Sequence, residues 1–184
     1  MSELPDFITG ADIIKASGGR LTVPLDVAGD MAKGVTAMIR RYCGWHVAPV
    51  VEETLVLDYD GGGVLTLPTL RVEALLSLTV DGVEVADPEW SRAGDVRLGA
   101  RPAKWQGVQA RVQHGYPVEE VADLRQVAVQ AALVGLASPM GVVRESSGQV
   151  SIEYSRTGLG VAGGLALMER DMRILDAYRL PRRA

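Results

Sequence analysis

The sequence predicts an α+β fold: a helical core of three to four helices, with an inserted antiparallel β unit of six to seven short strands. Three observations lead there. The apolar period is helical up to Tyr42, changes to 2 after Pro49, and becomes helical again after Tyr116-Pro117. Turn signals crowd the middle of the chain, with Asp60-Gly61-Gly62-Gly63 and Asp81-Gly82 set between apolar runs. The stretch from Val121 to Ala137 is apolar nearly all round, as in a helix buried on several sides. The implied segments are 1–49 (first part of the core), 50–115 (β unit), 116–157 (second part of the core) and 158–184 (glycine hinge, last helix and tail).

Residues 6 to 17 read as a short helix, with Thr9 as its candidate cap and Gly18-Gly19 as its stop. A second helix has Pro24 in its first turn, where the missing N–H has no intrahelical partner to lose. Its stripe is Val27, Met31, Val35, Met38 and Tyr42, with Ile39 beside them. Arg40 and Arg41 suit the negative end of the helix dipole, and Gly44 supplies the left-handed residue that closes the helix. Strands follow at about 50–58 and at Val64–Leu67, the second answering the first across the glycine turn. Leu70–Val80 is longer, with Val72, Leu76 and Leu78 apolar; Asp81-Gly82 turns it into Val83–Val85. Trp90 and Val96–Leu98 make another short pair, and Val108–His114 alternates and closes the sheet. The buried helix ends at Pro139 and Gly141. Val143–Ser147 reads as loop, Val150–Tyr154 as strand, Gly158–Gly164 as a hinge, and 165–178 as a last helix with the stripe Leu165, Met168, Met172 and Leu175.

The chain has 184 residues, 47% apolar, with a net charge of −4. That is enough apolar material for a core, and too little positive charge for a dedicated nucleic-acid binder. The single cysteine precludes an intramolecular disulfide. No signal peptide opens the chain and no apolar run reaches the ~20 residues of a membrane span, so a soluble intracellular protein is expected, with no membrane partner.

Motifs of chemistry do not stand up to their context. Gly158-Leu159-Gly160-Val161-Ala162-Gly163 has the dinucleotide spacing, but the chain ends at Ala184, before the second parallel strand and its acidic residue. Gly61-Gly62-Gly63 leads into a strand, so no helix N-terminus is there to hold a phosphate. Cys43 and His46 suggest metal, yet only His114 remains as a further soft ligand where a structural zinc wants four. There is no G-x-S-x-G and no triad context for either histidine. Glu52, Glu53, Asp58, Asp60, Glu119 and Glu120 read as solvated strand edges or a helix start. No enzyme activity, cofactor or metal is expected. Trp45, Trp90 and Trp105 read as packing anchors, with one or two as interface candidates.

Several short segments then carry a family resemblance in order and spacing: Ile39-Arg-Arg-Tyr-Cys-Gly-Trp45 with Pro49, Leu65-Thr-Leu-Pro68, Val80-Asp-Gly82, Glu89-Trp-Ser91, His114-Gly-Tyr116, Glu145-Ser146 and Tyr178-Arg-Leu-Pro181. Over nearly its whole length the chain resembles the head-to-tail adaptor (connector) proteins of tailed bacteriophages, of the type common in phages of actinobacteria. The resemblance implies a structural protein of the virion neck, assembled in the host cytoplasm. It implies a homo-oligomeric ring, typically dodecameric, beneath the portal protein, and a further neck partner such as a head-tail stopper or tail terminator. It also implies a lumen through which DNA passes without sequence-specific binding. The portal-docking segment implied is about 165–184, with Leu165, Met168, Met172, Leu175, Tyr178, Arg179, Leu180, Arg182 and Arg183 as its candidates. Tyr42, Gly44, Trp45 and Pro49 are expected to form a structural joint between helical core and β unit, with Trp45 as the wedge. The rival expectation is a small cytoplasmic binding or assembly module with no virion role.

Overall fold

The computed structural model describes residues 4–59, 61–99, 101–137, 144–147, 150–153 and 167–181. It divides into two compact units. One is helical, from Pro5–Cys43 and the described part of 122–179; the other is the β unit, Gly44–Val121 with Leu4, Leu180 and Pro181. The α+β class is as the sequence predicts.

In the helical unit, α1 (Gly10–Ala16) starts at a capping box. The Thr9 hydroxyl accepts from the Asp12 N–H (3.2 Å) and the Asp12 carboxylate accepts from the Thr9 N–H (2.8 Å). The Thr9 N–H and the Thr9 hydroxyl, both donating to it (2.8 Å each), hold the Asp12 carboxyl below its ordinary range. Helix α2 (Leu25–Cys43) packs on α1 and α3 through a face that keeps Val35 and Ile39 of the expected set but is turned towards its alanines. Ala28, Ala32, Val35, Thr36, Ile39 and Cys43 are buried, whereas Val27 is 44% exposed. The reason is close approach. A Cβ on Gly10 would stand 2.8 Å from the Gly29 nitrogen and 2.9 Å from the Leu25 carbonyl oxygen, so the alanine face, not the bulkier one, meets α1. Helix α3 (Ala122–Ala137), entered through a 3₁₀ turn at Val118–Val121, buries Leu124, Val127, Ala128, Ala131, Ala132 and Leu136. It packs on α1, α2 and the last helix. Arg144–Ser147 (β7) pairs with Val150–Glu153 (β8) as a hairpin. The first of these was expected as loop; its polar side chains give no strand signal, and the partner strand supplies the ladder. The last helix, α4 (Glu169–Leu175), runs into a 3₁₀ turn at Asp176–Tyr178. It is shorter than the expected 165–178. The Asp171 carboxylate accepts from the Met168 N–H (3.1 Å) and fixes the start. The glycine segment Gly158–Gly164 lies outside the described residues.

Cys43 ends α2 fully buried, its Sγ 3.9 Å from the Leu175 carbonyl oxygen. Burial pushes its thiol up to about 12. Since the thiolate is the nucleophile, the folded chain is expected to resist iodoacetamide at about pH 8 and to be labelled fully in denaturant. Mass spectrometry reads the difference; equal labelling in the two states contradicts the packing.

The β unit contains β1 (Val51–Leu57), β2 (Val64–Thr66), β3 (Val72–Val80), β4 (Val83–Glu84), β5 (Asp95–Arg97) and β6 (Val108–His114). A four-stranded antiparallel sheet has the order β1-β6-β3-β4, and β2 and β5 form a separate ribbon. Two expectations are corrected here. β6 is central rather than closing, with Ala110 opposite Leu55 on one side and Leu78 on the other. β2 pairs with β5, Leu65 opposite Val96, and not with β1. Alternation shows which face of a strand is apolar, but not which strand lies beside it. β3 carries register shifts between Val72 and Ala74 and between Leu75 and Ser77, so Leu76 is exposed while Val72 and Leu78 are buried. The hairpin at Asp81-Gly82 is as expected; φ of 51° and 84° place both residues in the mirror-image turn that suits twisted strands. Leu65, Leu67, Val72, Leu78, Val96, Val108 and Val112 form one core with Tyr59. The Tyr59 hydroxyl accepts from the Gly63 N–H and donates to the Leu98 carbonyl (3.4 Å).

Candidate functional site

The resemblance puts function in contact surfaces, and the structure distributes the named residues unevenly over them. In the helical unit Leu175 is fully buried and Tyr178 is 9% exposed; the Tyr178 hydroxyl donates to Asp123 (2.7 Å). Met168, Met172 and Arg179 are half-buried. Arg179 lies over the Tyr42 ring (5.1 Å) and 3.8 Å from Asp176, whose carboxylate also accepts from the Tyr42 hydroxyl (2.6 Å). The apolar residue of α4 that faces outward is Ile174, 38% exposed. In the β unit the Leu180 Cβ lies 3.7 Å from where a Cβ on Gly44 would stand and, with Pro181, Leu180 lines a groove. Leu165, Arg182 and Arg183 lie outside the described residues.

That groove has a volume of about 960 Å³ and is walled by Leu65, Leu67 and Leu70 on one side and by the 101–105 loop on the other. The loop is tied down by two carboxylates: Asp81 accepts from the Ala103 N–H (2.7 Å) and Asp58 from the Gln106 N–H (2.6 Å). At its tip Trp105 is 86% exposed. Of the three tryptophans, Trp45 is packed at 8% exposure, Trp90 stands at 38%, and Trp105 is no packing anchor within this chain. Sequence alone does not separate them, because exposure here is set by a loop held away from the core.

Of the proposed joint, Gly44 takes φ 84° immediately after α2, as a helix-ending glycine does. Tyr42 belongs to the last turn of α2, and the Ala48-Pro49 peptide is cis. Trp45 packs inside the β unit, against His46 (5.3 Å between ring centres), Tyr116 (5.9 Å) and, stacked, His114 (6.4 Å).

The same corner gathers titratable groups that the sequence keeps far apart. His46, Glu53 and His114 each present a ligand-type atom, and these atoms lie within 4.8 Å of one another. Register explains the meeting: His114 stands opposite Val51 in the β1–β6 ladder, and Glu53, two residues on, shares that face. The His114 Nε2 is 3.3 Å from the Glu53 carboxylate, and burial pushes its imidazole down to about 4, so it is neutral near neutral pH. Sequence spacing sets Cys43 near His46, whereas the fold sets Glu53 beside the two histidines. Cys43 belongs to the helical unit, whereas Glu53 reads as an ordinary solvated carboxylate until the register is known.

No protein-family description matches the chain, and no curated protein does. Solved structures do. The chain is similar to one in the neck of a native gene transfer agent (GTA) particle computed with C12 symmetry: 15% identity, TM-score 0.54, covering 99% of this chain and 97% of that one. It is also similar to a chain in the neck of an empty GTA particle computed with C6 symmetry: 15% identity, TM-score 0.58, covering 100% and 95%. At this identity the likeness is one of fold, and it extends from end to end. Among the described residues no helix is long and apolar enough to cross a membrane.

Proposed function

We propose that this chain is a structural subunit of a phage-type neck: a head-to-tail adaptor that forms a homo-oligomeric ring beneath the portal and extends the DNA channel towards the tail. The observation that carries the reading is the end-to-end likeness to chains of two neck particles, treated with C12 and C6 symmetry. Both symmetries are compatible with a dodecamer. The work is mechanical, so the reading needs no catalytic residue and no cofactor. A net charge of −4 suits a channel wall, because a lumen that neutralised phosphates would bind the DNA it must let pass.

Within that reading the 165–184 segment is the portal-docking element. Its outward side chains on α4, Ile174 foremost, are the ones available to a partner without unfolding the helical unit. The Trp105 loop is assigned to contacts of the β unit with the next subunit or the next neck component, since an exposed tryptophan on a loop anchored at Ala103 and Gln106 is a natural hot-spot residue.

Light scattering and electron microscopy of the purified chain, alone and mixed with assembled portal, test the reading. Rings on the portal are expected; a chain that never joins it supports the independent assembly module instead. Trp105→Ala is expected to change folding stability by less than about 0.5 kcal/mol, because its side chain is almost fully solvated, and to weaken neck assembly at least about tenfold. Unchanged assembly removes this loop from the interface.

A further inference from the structure

We propose that residues 180–183 form an added strand along the outer edge of β2, within the β unit of their own chain, with Arg182 and Arg183 held by the groove carboxylates Asp58 and Asp95. Such a strand forms whether or not the chain meets a portal. It leaves the outward face of α4 as the part of 165–184 open to a partner.

The edge of β2 is turned towards the groove. In an antiparallel ladder the bonded pairs alternate along each strand. The Leu98 N–H donates to the Gly63 carbonyl (3.1 Å) and the Leu67 N–H to the Gly94 carbonyl (2.8 Å), so these residues bond across the ribbon. Val64 and Thr66, between them, therefore point their N–H and C=O groups away from β5. The matching outer edge of β5 is taken: the Arg97 N–H donates to the Glu89 carbonyl (2.9 Å) and the Ser91 N–H to the Asp95 carbonyl (2.8 Å). Among the described residues no strand lies beside the outer edge of β2. All of residues 64–70 line the groove, those of both strand faces alike, as they do when a groove runs along an edge. An edge of this kind recruits an extended segment through its main chain.

The chain itself brings an extended segment there. Leu180 and Pro181 already line the groove. Arg179 leaves the last 3₁₀ turn at φ −86° and ψ 131°, which is extended backbone. Pro181 keeps the residue before it extended and fixes its own φ near −65°. Having no N–H, it suits an added edge strand. Two further residues advance an extended chain by about 7 Å, enough to carry Arg182 and Arg183 along β2.

Charge favours this occupant. Asp58 and Asp95 line the groove, and among the described residues neither is in an ion pair. Asp58 accepts from the Gln106 N–H (2.6 Å) and Asp95 from the Thr66 hydroxyl (2.9 Å), and a carboxylate has room for further donors. The chain supplies two guanidiniums directly after Pro181, and these pair best with carboxylates. Arg101 and Lys104 share the groove, so bulk charge does not draw a cationic segment in. Only at Asp58 and Asp95 does it meet the opposite sign.

Disulfide trapping in the dilute, purified full chain is the test. Cys43 is fully buried and does not compete. Arg183→Cys is combined with Asp95→Cys, and Arg182→Cys with Asp58→Cys. The control combines Arg183→Cys with Thr54→Cys, which lies opposite Arg111 on the outer face of the sheet. Under diamide at least one groove pair is expected to close within the chain at least about tenfold faster than the control. Closure no faster than the control overturns the proposal. So do disulfides that join two chains, since the groove then holds a second copy's tail. A second measurement leaves the groove residues intact. Cutting the chain after Arg179 is expected to speed amide hydrogen exchange at Val64 or Thr66 at least about tenfold, relative to the amides of β6, which report global opening. Equal relative exchange in the full and shortened chains overturns it as well.

Discussion

Gly115→Ala is expected to destabilise the β unit by about 3–5 kcal/mol and to lower Tm by about 10 °C or more. Two independent costs add. Gly115 has φ 113°, where a side chain costs about 1–3 kcal/mol. A Cβ there also stands 2.5 Å from both the His46 Nε2 and the Pro49 carbonyl oxygen, and neither is the far end of a flexible chain. Pushing them apart pulls on a corner where the Tyr116 N–H donates to the Val47 carbonyl (2.8 Å) and Val47 itself holds φ 64° while fully buried. Gly82→Ala separates the two costs. Its φ is 84°, but nothing lies within 4 Å of the added carbon, so about 1–2 kcal/mol is expected. Thermal melts followed by circular dichroism compare the pair; equal losses mean that the contact with His46 is not close.

The contrast between these glycines shows what the sequence makes legible. Local chemistry is readable: Thr9 with Asp12 as a cap, Gly44 as a helix end, Asp81-Gly82 as a mirror-image turn, and the alternation of β6, in which Val108, Ala110, Val112 and His114 are buried. Each of these depends on neighbours a few residues away. What depends on partners is not readable. A glycine in His114-Gly115-Tyr116 looks like any turn glycine until β6 lies beside β1 and His46 folds back over it. β2 finds β5 because the ribbon core needs Leu65 against Val96, a pairing over some thirty residues that no turn signal encodes. On α2 the sequence shows Val35 and Ile39 as core but not the alanines, for a related reason. Hydropathy ranks Met31 and Val27 above Ala28 and Ala32, while the close approach of Gly10 to the backbone at Leu25, Ala28 and Gly29 leaves no room for a bulky face there. The histidine cluster fails to show for all these reasons at once, since its members come from a loop, β1 and the end of β6.

Leu175→Ala is expected to destabilise the helical unit by about 2–5 kcal/mol, measured by chemical denaturation. Its side chain is fully buried, so truncation leaves a cavity, and little else can compensate. Helix α4 has seven residues, too few to be stable alone, and is held by tertiary contacts. Beyond Leu175 these include the Arg170 guanidinium on Gln130, and, just after the helix, the Tyr178 hydroxyl on Asp123, the Tyr42 hydroxyl on Asp176 and the Arg179 guanidinium over Tyr42. This bears directly on how docking is tested. Deleting 165–184 removes Leu175 and Tyr178 from the core together with any docking face, so lost attachment says nothing about which mattered. Ile174→Asp isolates the face. It changes an outward, 38% exposed side chain next to Leu175 and is expected to cost about 1–2 kcal/mol, less than Leu175→Ala. If the segment docks on the portal, Ile174→Asp abolishes capture by assembled portal rings while the chain still unfolds cooperatively, with a midpoint above that of Leu175→Ala. If capture survives Ile174→Asp and is lost only in Leu175→Ala, α4 serves its own unit as a strut and the portal is held by other residues.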